Sequence, residues 1–220
     1  MKTLALLAAL LLPALATAGE AHLFILSGQS NMAGLKPERA FLPELAKLLP
    51  DAEIRHVKFT KGGQPIRRWV KNWDEIAAKH DLDPLNDPGS FYDEVLRQAR
   101  ASIAEKKPKT ITFFWMQGER DAKEKLSAAY EESLRTLIAN LRKDLDVPRM
   151  GFVIGRLSDF STTEHWEAVR AAQAGIAAKS LALVVISSLM MAALLILRFK
   201  PSPQLLIALS ASPMRLVLLH

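Results

Sequence analysis

The stretch "LFILSGQSNMAG", residues 23–34, runs from a solid apolar segment straight into small polar residues. An unbroken apolar run of this length, closed by a turn signal, reads as a strand buried on both faces. Such strands belong to parallel sheets covered by helices, where ligands sit beyond the strands' carboxyl ends. Gly28-Gln29-Ser30-Asn31 is therefore expected on a binding rim.

The flanking chain repeats the same alternation. Strands are expected at 22–27, 53–59, 110–116 ("TITFFWM") and in "MGFVIGRL", residues 150–157. Between them, apolar spacings of three and four predict helices at 38–49, 90–106, 126–145 and 166–179. Strands alternating with helices imply an α/β fold with a mostly parallel sheet and helices on both faces. Two more segments follow strands on the expected rim: Gly62-Gly63, and Gln117-Gly118-Glu119-Arg120-Asp121.

Composition narrows the function classes. The chain has 220 residues, half of them apolar, which suits one domain. Its net charge of +6 comes from scattered basic residues, so no nucleic-acid partner is expected. Cysteine is absent, which removes disulfides and thiolate metal sites. Neither a Walker pattern nor G-x-G-x-x-G accompanies Gly62-Gly63, which argues against a phosphate-binding protein. At the amino end, Lys2 precedes an apolar run at 4–12 and then Ala16-Thr17-Ala18. Residues 1–18 read as a signal peptide, and export to a periplasm or the exterior is expected.

Ser30, between a strand and a helix, has two readings: an N-cap, or a nucleophile whose hydroxyl stands among backbone N–H groups. Met32 occupies the place where the α/β-hydrolase nucleophile elbow requires its second glycine, so that motif is not the one encoded. Trp69 and Trp73 read first as core, with the lining of a sugar site as the alternative. Glu119 and Asp121 have a bland reading as well, a solvated charge pair with Arg120 or Lys123.

"GQSNM" after a strand, a Gly-Gly turn, "WMQGERDA" and "VRAAQ" (169–173) together resemble the sialate O-acetylesterases and related carbohydrate esterases of the SGNH hydrolase superfamily. The resemblance covers about residues 23–173. It implies a three-layer α/β/α sandwich and a carboxylic ester hydrolase that removes O-acetyl groups from carbohydrate, with no metal or cofactor. Carried over, Ser30 is the nucleophile, and the oxyanion is held by the backbone N–H groups of Ser30 and Gly63 and the side-chain amide of Gln117. Glu119 orients the base or holds the active-site loops, and Gln29 and Asn31 are the candidate substrate contacts.

The carboxyl-terminal portion departs from that pattern. The family takes its base and acid from an Asp-x-x-His arrangement after the last strand, whereas here no Asp or Glu follows Glu167 and the only later histidine is His220. His165 is the nearest substitute base. The esterase domain is therefore taken as 19–180 and residues 181–220 as an atypical apolar tail. Residues 181–186 retain a strand-like composition and suit a last strand.

Two readings of the tail stand open. Residues 181–197 form an uncharged run flanked by Lys179, Arg198 and Lys200, as in a membrane anchor, but the run is short for a span and Ser187-Ser188 interrupts it. The alternative is a shifted reading frame. Met190-Met191 is encoded by ATGATG, and a triplet begun on the first codon's last base reads GAT, aspartate. The next reads GGC, glycine, and after three undetermined residues the triplet entering Ile196 reads CAT, histidine, when the Leu195 codon ends in C. The run Asp-Gly-x-x-x-His resembles the missing loop and favours this reading, and the absent Asp-x-x-His implies impaired catalysis. The competing class is a non-catalytic carbohydrate-binding or membrane-tethered protein.

Overall fold

The computed structural model of the protein describes residues 19–178 and 183–187. Residues 1–18, expected to form the signal peptide, lie outside it, as does the tail except for 183–187. Among the described residues no helix is long and apolar enough to cross a membrane.

Five strands form the sheet: β1 (Ala21–Gly28), β2 (Glu53–Thr60), β3 (Thr110–Met116), β4 (Gly151–Arg156) and β5 (Leu183–Ser187). They run in the order β2-β1-β3-β4-β5, and every neighbouring pair is parallel. Chain direction across the sheet reverses between β1 and β3, which is where α/β sheets of this kind open a crevice. β5, the last strand anticipated within 181–186, pairs with β4 from Phe152↔Leu183 to Arg156↔Ser187.

The helices are α1 (Ser30–Gly34), α2 (Phe41–Leu48), α3 (Trp73–Lys79), α4 (Ser90–Glu105), α5 (Glu119–Lys123), α6 (Ser127–Asp144) and α7 (Glu164–Ala178). The helix expected over 38–49 is divided: Pro37–Arg39 is a 3-10 turn, and α2 begins after Ala40. Pro43 explains the break. It has no N–H to give to the Arg39 carbonyl and its ring would crowd that group, so it is tolerated only within the first turn of α2. The short helices α1, α3 and α5 carry too little periodicity to be read from sequence.

Strand alternation sends successive side chains to opposite faces and builds two cores. Leu23 and Ile25 of β1, Phe113 and Trp115 of β3, and Phe152 and Ile154 of β4 pack with α3, α4, α6 and α7. Phe24, Leu26, Phe114, Met116 and Val153 face the other way, toward Met32 of α1 and Phe41 and Leu45 of α2. The result is the expected three-layer sandwich, with the larger core on one side. Trp69 and Trp73 are fully buried in it, their indole N–H groups donating to Ser27 Oγ and the Asp83 carbonyl. Their core reading therefore holds, and lining a sugar site does not.

Candidate active site

Register decides which residues meet. Gly28 pairs with Thr60 of β2 and with Met116 of β3, so three adjacent strands end at one level. The segments that follow, Gln29-Ser30, Lys61-Gly62-Gly63 and Gln117-Gly118-Glu119, leave the sheet along one edge. Backbone bonds stitch them together at once: Gln29 N donates to the Met116 carbonyl at 2.9 Å and Lys61 N to the Gly28 carbonyl at 3.0 Å.

Gly28 is what permits the first turn. Its φ is +139°, and a Cβ there would stand 2.1 Å from the Met116 carbonyl oxygen, closer than any side chain can come. Ser30 then opens α1 and is exposed. The N-cap position ahead of it is held by Gln29, whose side chain makes no capping bond. Gly63, exposed, has φ +64°.

The side chains beside Ser30 divide into an outer pair and an inner group. Asn31 is exposed and donates through Nδ2 to Glu119 Oε1 at 2.6 Å. Burial holds the Glu119 carboxyl above the usual carboxylate range, and the Asn31 bond pulls part of the way back. Gln29, by contrast, is buried, and its Oε1 accepts from Gln117 Nε2 at 3.3 Å and from Arg120 N at 3.4 Å. It braces the first loop against the third, with its carboxamide turned away from solvent.

Gln117 is buried too. Its Nε2 donates to the Gln64 carbonyl at 3.1 Å and to Asp121 Oδ2, besides Gln29. Two hydrogens thus serve three acceptors, while Oε1 has no partner among the described residues. The amide orientation follows from its surroundings, since a carbonyl and a carboxylate both require a donor. To stabilise an oxyanion, Gln117 must give up one of these internal bonds.

Asp121 is the clamp that sequence reasoning missed. It is fully buried, and both its oxygens accept from Ile66 N at 3.1 Å, so one carboxyl holds the loop after β2 and the amide after β3 together. Burial pushes its carboxyl up to about 7. The solvated charge pair considered for Glu119 and Asp121 is not formed; Arg120 pairs with Glu124 at 2.5 Å, and Glu124 also takes Arg67 at 3.0 Å. The signal was available: residues 117 and 121 are four apart where a helix begins, a spacing that lets side chains meet.

Behind this layer, Gln173 of the "VRAAQ" segment fixes the backbone. Its Nε2 donates to the Gln117 carbonyl at 2.8 Å and contacts the Tyr130 hydroxyl at 3.1 Å, and its Oε1 accepts from Leu157 N at 2.8 Å. Tyr130 donates to the same Gln117 carbonyl at 2.9 Å. Gly118, with φ +143°, completes the fit, because a Cβ would meet Val169 Cγ1 at 2.9 Å. His165 lies on α7 with its Nδ1 2.7 Å from Ser127 Oγ.

A family model described as carbohydrate esterase, sialic acid-specific acetylesterase, matches residues 33–193. No curated protein matches the chain. Among solved structures, a protein of Arabidopsis thaliana is similar with a TM-score of 0.58 at 20% identity, over 87% of this chain and 95% of that one. A carbohydrate acetylesterase from Xanthomonas citri is similar with a TM-score of 0.54 at 17% identity, over 77% of this chain. The match takes in 50% of the Xanthomonas protein. At these identities the likeness concerns the fold, and it agrees with an SGNH-type α/β/α architecture.

Proposed function

Because the chain belongs to the carbohydrate esterase family of sialic acid-specific acetylesterases, we propose that its site is built to hydrolyse O-acetyl esters on carbohydrate, with Ser30 as nucleophile. The level ending of β1, β2 and β3 supports the reading, since it gives Ser30, Gly63 and Gln117 a common edge. In the first half-reaction the Ser30 oxygen bonds to the acetyl carbonyl carbon while its proton passes to a base. The carbonyl oxygen becomes an oxyanion, held by the N–H groups of Ser30 and Gly63 and one N–H of Gln117. Collapse breaks the bond to the sugar oxygen, which departs with a proton. Water then attacks acetyl-Ser30 and releases acetate. Asn31 and Glu119 frame the mouth of the site, and Gln29 acts by bracing Gln117. Export after removal of residues 1–18 belongs to the same reading.

The base is the missing part. With no Asp-x-x-His after Glu167, Ser30 is an ordinary alcohol, and this chain falls several powers of ten short of one that carries the pair. We attribute this to a reading-frame shift beyond residue 180. Nucleotide sequence across codons 175–220 tests the frame: an early stop, or no histidine codon near position 196 in the neighbouring frame, refutes it. A fluorophosphonate probe tests the chemistry on the chain carrying the neighbouring-frame ending. Labelling of Ser30, with p-nitrophenyl acetate hydrolysis lost in Ser30→Ala, is expected. If residue 30 stays unlabelled there, the serine mechanism is wrong and a binding protein is the better account.

A further inference from the structure

The loop after β4 carries an arrangement that the acyl-transfer chemistry does not use. Phe160 is 89% exposed, the one exposed large apolar side chain among the described residues. A lone exposed phenylalanine is ordinary on a protein surface. This one belongs to a fixed pair, with the Trp166 ring centroid 6.3 Å away at an interplanar angle of 57°. The Trp166 indole N–H donates to the Ser158 carbonyl at 2.8 Å, and Asp159 is ion-paired with Arg170, so the loop is tied to α7 just ahead of Phe160. Hydroxyls of Ser161 and Thr163 lie between the rings in the chain, 3.4 Å from each other.

Its position relates it to Ser30. Trp115 of β3 pairs with Ile154 of β4, so the chain after Arg156 leaves the sheet at the level of Gln117, on the same edge. Leu157, the loop's first residue, shares the Gln173 side chain with the Gln117 carbonyl. β4 stands two strands from β1, about 10 Å across the sheet. The loop therefore opens on the rim that carries Ser30, displaced along it by two strands.

We propose that Phe160 and Trp166 form a carbohydrate subsite that takes the apolar C–H face of a pyranose ring adjoining the acetylated one. The inference rests on the carbohydrate part of the reading above. Aromatic faces carry negative potential and attract the weakly positive C–H groups of a sugar face, while the neighbouring hydroxyls suit its equatorial OH groups.

The protein supplies its own reporter. Of the four tryptophans, Trp69, Trp73 and Trp115 are fully buried, which leaves Trp166 as the indole a sugar can reach. Full-length Ser30→Ala protein is titrated with cellotetraose, xylotetraose and methyl α-N-acetylneuraminide while tryptophan emission is followed. A saturable change with at least one sugar is expected, weakened about three- to tenfold in Phe160→Ala and retained in Phe160→Tyr. The absence of a saturable change with all three sugars overturns the proposal, as does equal affinity in Phe160→Ala. A sedimentation coefficient that falls in Phe160→Ala without sugar also overturns it, because the ring then serves self-association. Ser30 labelling by the fluorophosphonate is read separately: labelling without sugar binding removes this subsite alone, and sugar binding without labelling removes the serine mechanism alone.

Discussion

Asp121→Asn removes a proton-binding group from the interior while keeping the side chain's shape. In the folded chain this carboxyl is held up to about 7, mainly by burial, against the ordinary aspartate value of 3.8. The folded state therefore binds the proton more tightly than the unfolded state. The resulting stabilisation is fully present below about pH 4 and is lost as pH rises through about 7. The rise from 3.8 to about 7 is worth about 4 kcal/mol, more than half of it lost between pH 5 and pH 8. The variant has no proton to lose there. Urea unfolding at pH 5 and pH 8 should show the parent losing about 2–3 kcal/mol more than Asp121→Asn over that interval, the remaining titrations being common to both. Parallel losses within about 0.5 kcal/mol would refute the reasoning. The variant's amide oxygen, set in the Oδ2 position, can still accept from Ile66 N and Gln117 Nε2, so the clamp's two donors keep a partner.

Three further outcomes test the site's scaffold. Gln173→Leu leaves Leu157 N unpaired in the interior and takes one donor from the Gln117 carbonyl, so a loss of about 2–4 kcal/mol in unfolding free energy is expected. Gly28→Ala sets a Cβ 2.1 Å from the Met116 carbonyl oxygen and should yield a chain that fails to melt cooperatively; an unchanged calorimetric transition would contradict the turn described here. Asn31→Ala removes the donor that lowers the Glu119 carboxyl, whose titration, followed by carboxyl carbon NMR, should move upward.

Much of this was legible in the sequence because it depends on local pattern. Apolar runs ending at Gly28 and Met116, and the mixed segment 53–59 closed by Lys61-Gly62-Gly63, announce strands, and parallel pairing places their carboxyl ends together on a common rim. β3 begins and ends where its β-branched and aromatic run does. What could not be read depends on side-chain direction. Gln29, next to Ser30, is expected to contact substrate and Gln117 to hold the oxyanion, yet Gln117 Nε2 is engaged in the interior by Gln29 Oε1 and by Asp121. Asp121 looks like a surface acid beside Arg120 because one-dimensional adjacency hides Ile66, 55 residues away, which supplies its donor. The division of the 38–49 segment was within reach, since Pro43 forbids a continuous helix through it.

Gln173 has a bearing on the life history of the protein. The residue that steadies the cradle around Ser30 is made long after it, 56 positions beyond the carbonyl it grips. While the ribosome is still working, the alcohol at position 30 is present but the carbonyl of Gln117 lacks its Gln173 donor. The cradle is drawn together late, once the last long helix has left the exit tunnel and docked.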